Sequence, residues 1–66
     1  MAIMKVIEVM ADSDTSWEEA TKAAIQTASK TVKNIRSAWV QDQSVVVDGG
    51  KVKSFRVSLK VSFAVN

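Results

Sequence analysis

The segment FRVSLKVSFAV, Phe55 to Val65, places Phe55, Val57, Leu59, Val61, Phe63 and Val65 at odd positions and Arg56, Ser58, Lys60, Ser62 and Ala64 at even ones. Successive side chains of an extended chain point to opposite faces. This alternation therefore specifies a strand with one apolar face to bury and one largely polar face. The residues just upstream supply a partner strand. Asp48-Gly49-Gly50 lies between two β-type runs, and glycine accepts the positive φ that a tight hairpin turn requires. The reading is a long strand over Ile35 to Asp48, a Gly-containing turn, and a last strand from near Lys51.

Further upstream the period changes. From Trp17 to about Val32 there is no Gly or Pro, and Trp17, Ala20, Ala24, Ala28 and Val32 recur at helical spacing with Ile25 at the margin. Thr15-x-x-Glu18 and Ser16-x-x-Glu19 both fit a capping box, and carboxylates in a first turn suit the positive end of the helix dipole. The stripe is mostly alanine, which lets a helix lie close to a sheet, and Trp17 reads as a core anchor at the first turn. Ile3 to Met10, rich in Ile, Val and Met around Lys5 and Glu8, reads as the first strand, running into ADSDTS. The element order is β-α-β-β. The fold class is α+β, a three-stranded antiparallel sheet packed on one helix, with residues 1–66 as a single domain.

A chain of 66 residues buries only about 60% of its unfolded surface, so a monomer of this size needs a staple. There is no Cys and no His, which excludes disulfides and thiolate metal sites and removes the commonest general base. Subunit association is the staple that remains. Geometry agrees: strands of roughly 12 residues reach about 40 Å, whereas a helix of about 16 residues reaches about 24 Å, so one helix leaves apolar sheet uncovered. No nucleophile-base pair, phosphate-binding glycine loop or paired-acid motif is visible, and no enzymatic activity is expected. The net charge of +2 is too small an excess to argue for nucleic acid. Lys51, Lys53, Arg56 and Lys60 do not share one face, no aromatic series interleaves with them, and they read as a solvated sheet edge. The apolar N-terminal run is broken by Lys5 and Glu8, so neither a signal peptide nor a membrane span is expected, and the cytoplasm is the expected location.

The stretch NIRSAWVQDQ, Asn34 to Gln43, is less easily explained as core filling. Without a bulge, Ile35, Ser37, Trp39, Gln41 and Gln43 share one face, and Arg36, Ala38, Val40 and Asp42 share the other. The small apolar Ala38 and Val40 suit the helix side. Trp39 then lies on the face the helix does not cover, where an interface plug and a ligand stacker are both open roles.

The order of strand, TSWEEA helix start, VKNIRSAWVQDQ, Gly-containing turn and FRVSLKVSFAV resembles the dodecin family from about Lys5 to Val65. The specific matches are KVIEV, the Ser-aromatic-acidic helix start, the Ala-rich helix, the Asp-Gln pair in strand two and the closing Val-x-Phe. The resemblance implies a hollow homododecamer that stores or sequesters a small molecule, many members holding flavins in pairs between subunits. In flavin-binding dodecins a Trp stacks on the isoalloxazine ring, a strand-three Gln hydrogen-bonds it, and an Asp-Gln pair follows the Trp by five and six residues. Lined up without gaps, the Trp position is Ser37, the pair is Asp42 and Gln43, and the strand-three Gln position is Arg56. The implied cofactor-binding set is therefore Ser37, Trp39, Asp42, Gln43 and Arg56, with no catalytic or metal residue assigned.

Loss of a stacking aromatic removes roughly 1–3 kcal/mol, a drop in affinity of about ten- to a hundredfold or more. Trp39 is on the face of Ser37 but about 6.8 Å along the strand. Arg56 offers a planar cation that stacks on a ring or binds an anionic group, which brings FMN alongside riboflavin, or else pairs with an acid across a subunit interface. The family also has calcium-associated members. Two readings follow: a flavin-type storage protein with altered contact residues, or a flavin-free dodecin acting as a structural or calcium-binding shell. Glu8, Asp12, Asp14, Asp42 and Asp48 are the available oxygen ligands for the second.

Overall fold

In the computed structural model, which describes residues 3–65, the hairpin turn organises the sheet. Gly49 and Gly50 have φ of 59° and 76°, and Asp48 pairs with Lys51 across them. Positive φ at both central residues is the turn whose twist matches that of paired strands. The turn joins β2 (Ile35–Asp48) to β3 (Lys51–Val65), and β1 (Ile3–Ser13) precedes α1 (Trp17–Ala28). Strand β3 is central, antiparallel to β1 on one side and to β2 on the other. The outer strands β1 and β2 are thus parallel, and α1 is the crossover that parallel strands require.

The odd-numbered face of β3 forms the core as the alternation predicts. Val57, Leu59 and Val61 are fully buried against Ala20 and Ala24, with Ile7, Val9, Ala11, Trp17, Ile25 and Ile35 packed around them. Phe55 and Phe63 lie half-buried toward the two ends. Helix α1 packs on β1 and β3. Trp17 closes one end of the core: its ring meets Phe55 edge to face at 5.1 Å, and its Nε1 donates to the Ser44 carbonyl oxygen at 2.9 Å.

Of the two capping registers, Ser16 is used. Its Oγ accepts from the Glu19 amide at 3.0 Å, and Ser13 Oγ accepts from the amides of Thr15 and Ser16 at 3.0 and 3.4 Å. Ser16→Ala is expected to cost about 1 kcal/mol of stability, read as a lower urea midpoint with an unchanged slope.

Two boundaries differ from expectation. The helix ends at Ala28, short of Val32, because the chain tightens there. The amides of Lys30 and Thr31 donate to the carbonyls of Thr27 and Ala28, and Ser29 Oγ donates to the Ile25 carbonyl at 2.7 Å. Asn34 then takes φ 65°, a left-handed conformation that Asn tolerates, and its carbonyl accepts from the Ala64 amide at 3.0 Å. Strand β1 continues past Met10 to Ser13 because β3 offers partners as far as Phe55, so pairing overrides a polar local composition.

The lysine-rich row is also placed differently. Arg56 and Lys60 lie on the central strand, paired with Asp12 and Glu8 of β1. Lys51 and Lys53 belong to the part of the β2–β3 ribbon that extends beyond the end of β1. This overhang makes the chain long, with extents of 50 × 19 × 14 Å and a radius of gyration of 13.5 Å. A compact domain of this length has a radius near 11 Å. No helix among the described residues is long and apolar enough to cross a membrane.

Candidate functional site

The site is decided by irregularities in β2. Its register against β3 shifts between Ile35 and Ser37 and between Val40 and Asp42, leaving Arg36 and Gln41 without a partner on β3. Each extra residue reverses which face the following side chains occupy. Directly paired residues share a face, so Ile35, Ala38, Val40, Gln43 and Val45, opposite Phe63, Val61, Leu59, Val57 and Phe55, belong to the helix side. Ser37, Trp39, Asp42 and Ser44, opposite Ser62, Lys60, Ser58 and Arg56, belong to the other. The uninterrupted alternation is corrected here. Ile35 and Gln43 leave the face of Trp39, and Asp42 joins it.

The helix-free face thus brings Ser37, Trp39, Asp42 and Arg56 together and places Gln43 on the opposite side. With β1 included it reads in transverse rows: Val6, Ser62, Ser37; then Glu8, Lys60, Trp39; then Met10, Ser58, Asp42; then Asp12, Arg56, Ser44. Trp39 is 48% exposed, a large aromatic left half in water beside an ion pair in which Lys60 Nζ is 4.0 Å from Glu8 Oε1.

Two positions singled out in the sequence are engaged within their own sheet. Ser37 Oγ and Ser62 Oγ are 2.6 Å apart. Arg56 forms a two-pronged contact with Asp12, Nε to Oδ1 at 2.7 Å and Nη2 to Oδ2 at 3.1 Å, the geometry that makes a guanidinium selective for a carboxylate. Neither Asp12 nor Ser62 was legible as a partner from local sequence, since each contact depends on strand register. The charges of Asp12 and Arg56 were the signal that pointed to a pairing.

The hydrogen bond from Arg56, reinforced by its charge, holds the Asp12 carboxyl below its ordinary value of 3.8. The bond to Asp12 in turn raises Arg56. A carboxylate whose pKa is lower folded than unfolded stabilises the fold above the unfolded value, and that contribution is lost as pH falls through the folded value. Asp12→Asn is therefore expected to be less stable than the parent at neutral pH, with the difference closing as pH drops below about 4. Parallel unfolding curves from pH 7 to pH 2 measure this. The partners are about 40% exposed, so the gap is small and shrinks with salt.

No group of three or more carboxylates among the described residues is arranged to hold a metal ion within one copy. On the helix-free face Glu8 and Asp12 each have a cationic partner, and Asp42 makes no ion pair among the described residues.

The Dodecin family model matches residues 3–66. The chain belongs to the dodecin family. Among curated relatives of this dodecin, calcium dodecin of Mycobacterium tuberculosis is 41% identical over 63 residues, spanning 96% of this chain and 89% of its own. The crystal structure of that calcium-chelating antigen, described as having a novel calcium-binding site, superposes with a TM-score of 0.85 at 42% identity, over 97% of this chain and 91% of that one. Dodecin from Streptomyces coelicolor superposes with a TM-score of 0.93 at 25% identity, over 98% and 93%. Dodecin from Streptomyces davaonensis gives 0.93 at 22%, over 98% and 96%, a likeness of fold alone. The β-α-β-β architecture of this dodecin, with three antiparallel strands and one helix, is that of its relatives.

Proposed function

We propose that this dodecin is a subunit of a hollow homododecameric shell that binds and buffers a calcium-class cation, with no catalytic role. The observation that carries the cation reading is the engagement of Ser37 and Arg56. These occupy the positions where flavin-binding dodecins stack and hydrogen-bond the isoalloxazine ring, and here they are tied to Ser62 and Asp12. The 41% identity to a calcium dodecin supports the same reading. The shell itself is supported by large apolar side chains left in water: Ile3, Val6, Met10, Trp39, Val47 and Val52 are each about half exposed or more, far more than a stable monomer ordinarily leaves.

Calcium takes 6–8 oxygen ligands at 2.3–2.6 Å, and the described residues of one copy assemble no such set. A symmetry axis multiplies a single carboxylate by the number of copies around it, and among the described residues Asp42 is the helix-free carboxylate not engaged in an ion pair. A second reading, a flavin-type ligand, is favoured by one observation, the half-exposed ring of Trp39 two residues from Ser37 and on its face. In that reading Ser37, Trp39, Asp42 and Arg56 line the ligand, and Gln43 does not.

A native mass spectrum and an absorbance scan of protein purified without added ligand test both. The expected result is a colourless twelve-chain species that a chelator destabilises and calcium restores, by about 2.7 kcal/mol at a hundredfold excess over the dissociation constant. Bound flavin absorbing in the blue, with no response to calcium, overturns the cation reading in favour of the second. A chain at monomer mass overturns the shell.

A further inference from the structure

An aspartate side chain closes a five-membered ring when its carboxyl carbon meets the backbone nitrogen of the next residue. The chain offers Asp12–Ser13, Asp14–Thr15, Asp42–Gln43 and Asp48–Gly49. Three are hindered. Asp12 has both carboxylate oxygens on Arg56, and Asp14 and Asp42 precede residues whose side chains crowd the attacking nitrogen. Asp48 precedes glycine, which has no Cβ to stand in the way. No atom beyond the chain neighbours of Gly49 lies within 4 Å of where a Cβ would be. Asp48 is exposed, and among the described residues its carboxylate makes no ion pair.

This bond sits at the tip of a weakly supported ribbon. The last pair of β1 with β3 is Ser13 with Phe55, so β3 from Lys51 to Ser54 is paired with β2 alone. The register shifts between Val46 and Val47, and Val47 and Val52 are 61% and 53% exposed. A two-stranded ribbon is marginal on its own, and segments with few buried contacts open at a small fraction of the global cost. While Asp48 is paired with Lys51, its extended backbone turns the Gly49 nitrogen away from the carboxyl. Opening of the tip frees both.

We propose that Asp48–Gly49 is a self-modification site, at which the open tip converts Asp48 to isoaspartate. The Gly49 nitrogen attacks the side-chain carboxyl carbon of Asp48 and forms a C–N bond. A C–O bond of the carboxyl breaks, and its oxygen leaves as water with the amide proton and the proton of the acid. Water then adds across the ring. Addition at the side-chain carbonyl restores aspartate. Addition at the main-chain carbonyl leaves the backbone running through the side chain, with the former main-chain carbonyl as a free carboxylate. One water leaves and one returns, and nothing is oxidised or reduced. Isoaspartate adds one carbon to the backbone of a two-residue turn whose twist matched its strands. The pairing of Asp48 with Lys51 is lost and the tip frays toward Val46 and Ser54, while the core around Leu59 lies farther along β3. The site uses no ligand and no second copy, so it stands or falls separately from the cation and shell readings.

Full-length protein is held warm at neutral pH in heavy-oxygen water and then cut with trypsin after Arg36 and Lys51, which releases the peptide 37–51. The expected result is a second chromatographic peak that grows at the expense of the first, carries heavy oxygen and fragments as isoaspartate at position 48. Asp42, in the same peptide, stays unchanged. Conversion is slower than in the synthetic peptide 37–51 by a factor equal to the open fraction of the tip. Asp48→Glu, which cannot close the five-membered ring, is expected to abolish the second peak, and Asp48→Asn to reach it faster by losing ammonia through the same ring. Two results overturn the proposal. One is a full chain that stays unchanged while the synthetic peptide converts, which means that the folded tip keeps the reacting atoms apart. The other is a second peak that persists in Asp48→Glu.

Discussion

Leu59→Ala is expected to destabilise the fold by about 2–5 kcal/mol, the usual range for a buried leucine truncated in place. Leu59 is fully buried at the middle of the central strand between Val57 and Val61. Its neighbours across the sheet are Val9 and Val40, and the buried residues above it are Ala20 and Ala24. Alanines already bring the helix backbone close to the sheet, so few large side chains are available to fall into the vacated space, and the cavity term is retained. For a domain of this size each kcal/mol lowers the midpoint by roughly 4–8 °C, so a fall of about 8–40 °C is expected. Circular dichroism melts at one fixed chain concentration measure it, because association couples the midpoint to concentration. A loss below 1 kcal/mol would show that α1 settles onto β3 and closes the gap.

Ser37→Trp is expected to raise affinity for riboflavin or FMN by about 5- to 150-fold, the equivalent of one stacking contact worth roughly 1–3 kcal/mol. Position 37 is exposed on the helix-free face, so the indole meets open space, and the substitution removes a hydroxyl whose partner, Ser62, retains the Ser37 carbonyl at 3.3 Å as an acceptor. Quenching of flavin fluorescence on titration with protein measures the change. Gain in the Ser37→Trp variant, against weak binding by the parent, makes the loss of the aromatic the reason flavin is disfavoured. Unchanged affinity would place the limiting feature elsewhere, with the Arg56–Asp12 pair the next to open by Arg56→Gln. The two substitutions lie on opposite faces of the sheet, so the stability of one and the binding of the other are expected to vary independently.

Much of the site was legible in the chain, but its arrangement was not. Trp39 was placed on the helix-free side correctly because the bulges before and after it, at Arg36 and Gln41, leave its alternation with Ser37 intact. The same alternation failed at Asp42, one residue past the second bulge, and at Ile35, one residue before the first. A bulge has no compositional signature strong enough to read here. It is a property of how β2 meets β3, and one extra residue exchanges the faces of everything that follows. Arg56 was read as either a ligand contact or half of an ion pair across a subunit interface, whereas its acid lies in the same chain. The decision between them required knowing that Asp12, 44 positions away, sits directly across from it.

The sequence by itself determined the kinds of element and their order. Alternation from Phe55 to Val65, the helical recurrence that starts at Trp17 and the paired glycines after Asp48 are local signals, each written within a few residues and each dictated by backbone sterics and side-chain periodicity. The absence of Cys and His also settled which chemistries the chain lacks. Tertiary structure alone decided that β3 lies between β1 and β2, that the helix covers β1 and leaves β2 open, and which side chains share the face of Trp39. Those outcomes depend on hydrogen-bond pairing between strands far apart in the chain, where many registers satisfy the same local pattern and only packing against a common core selects one.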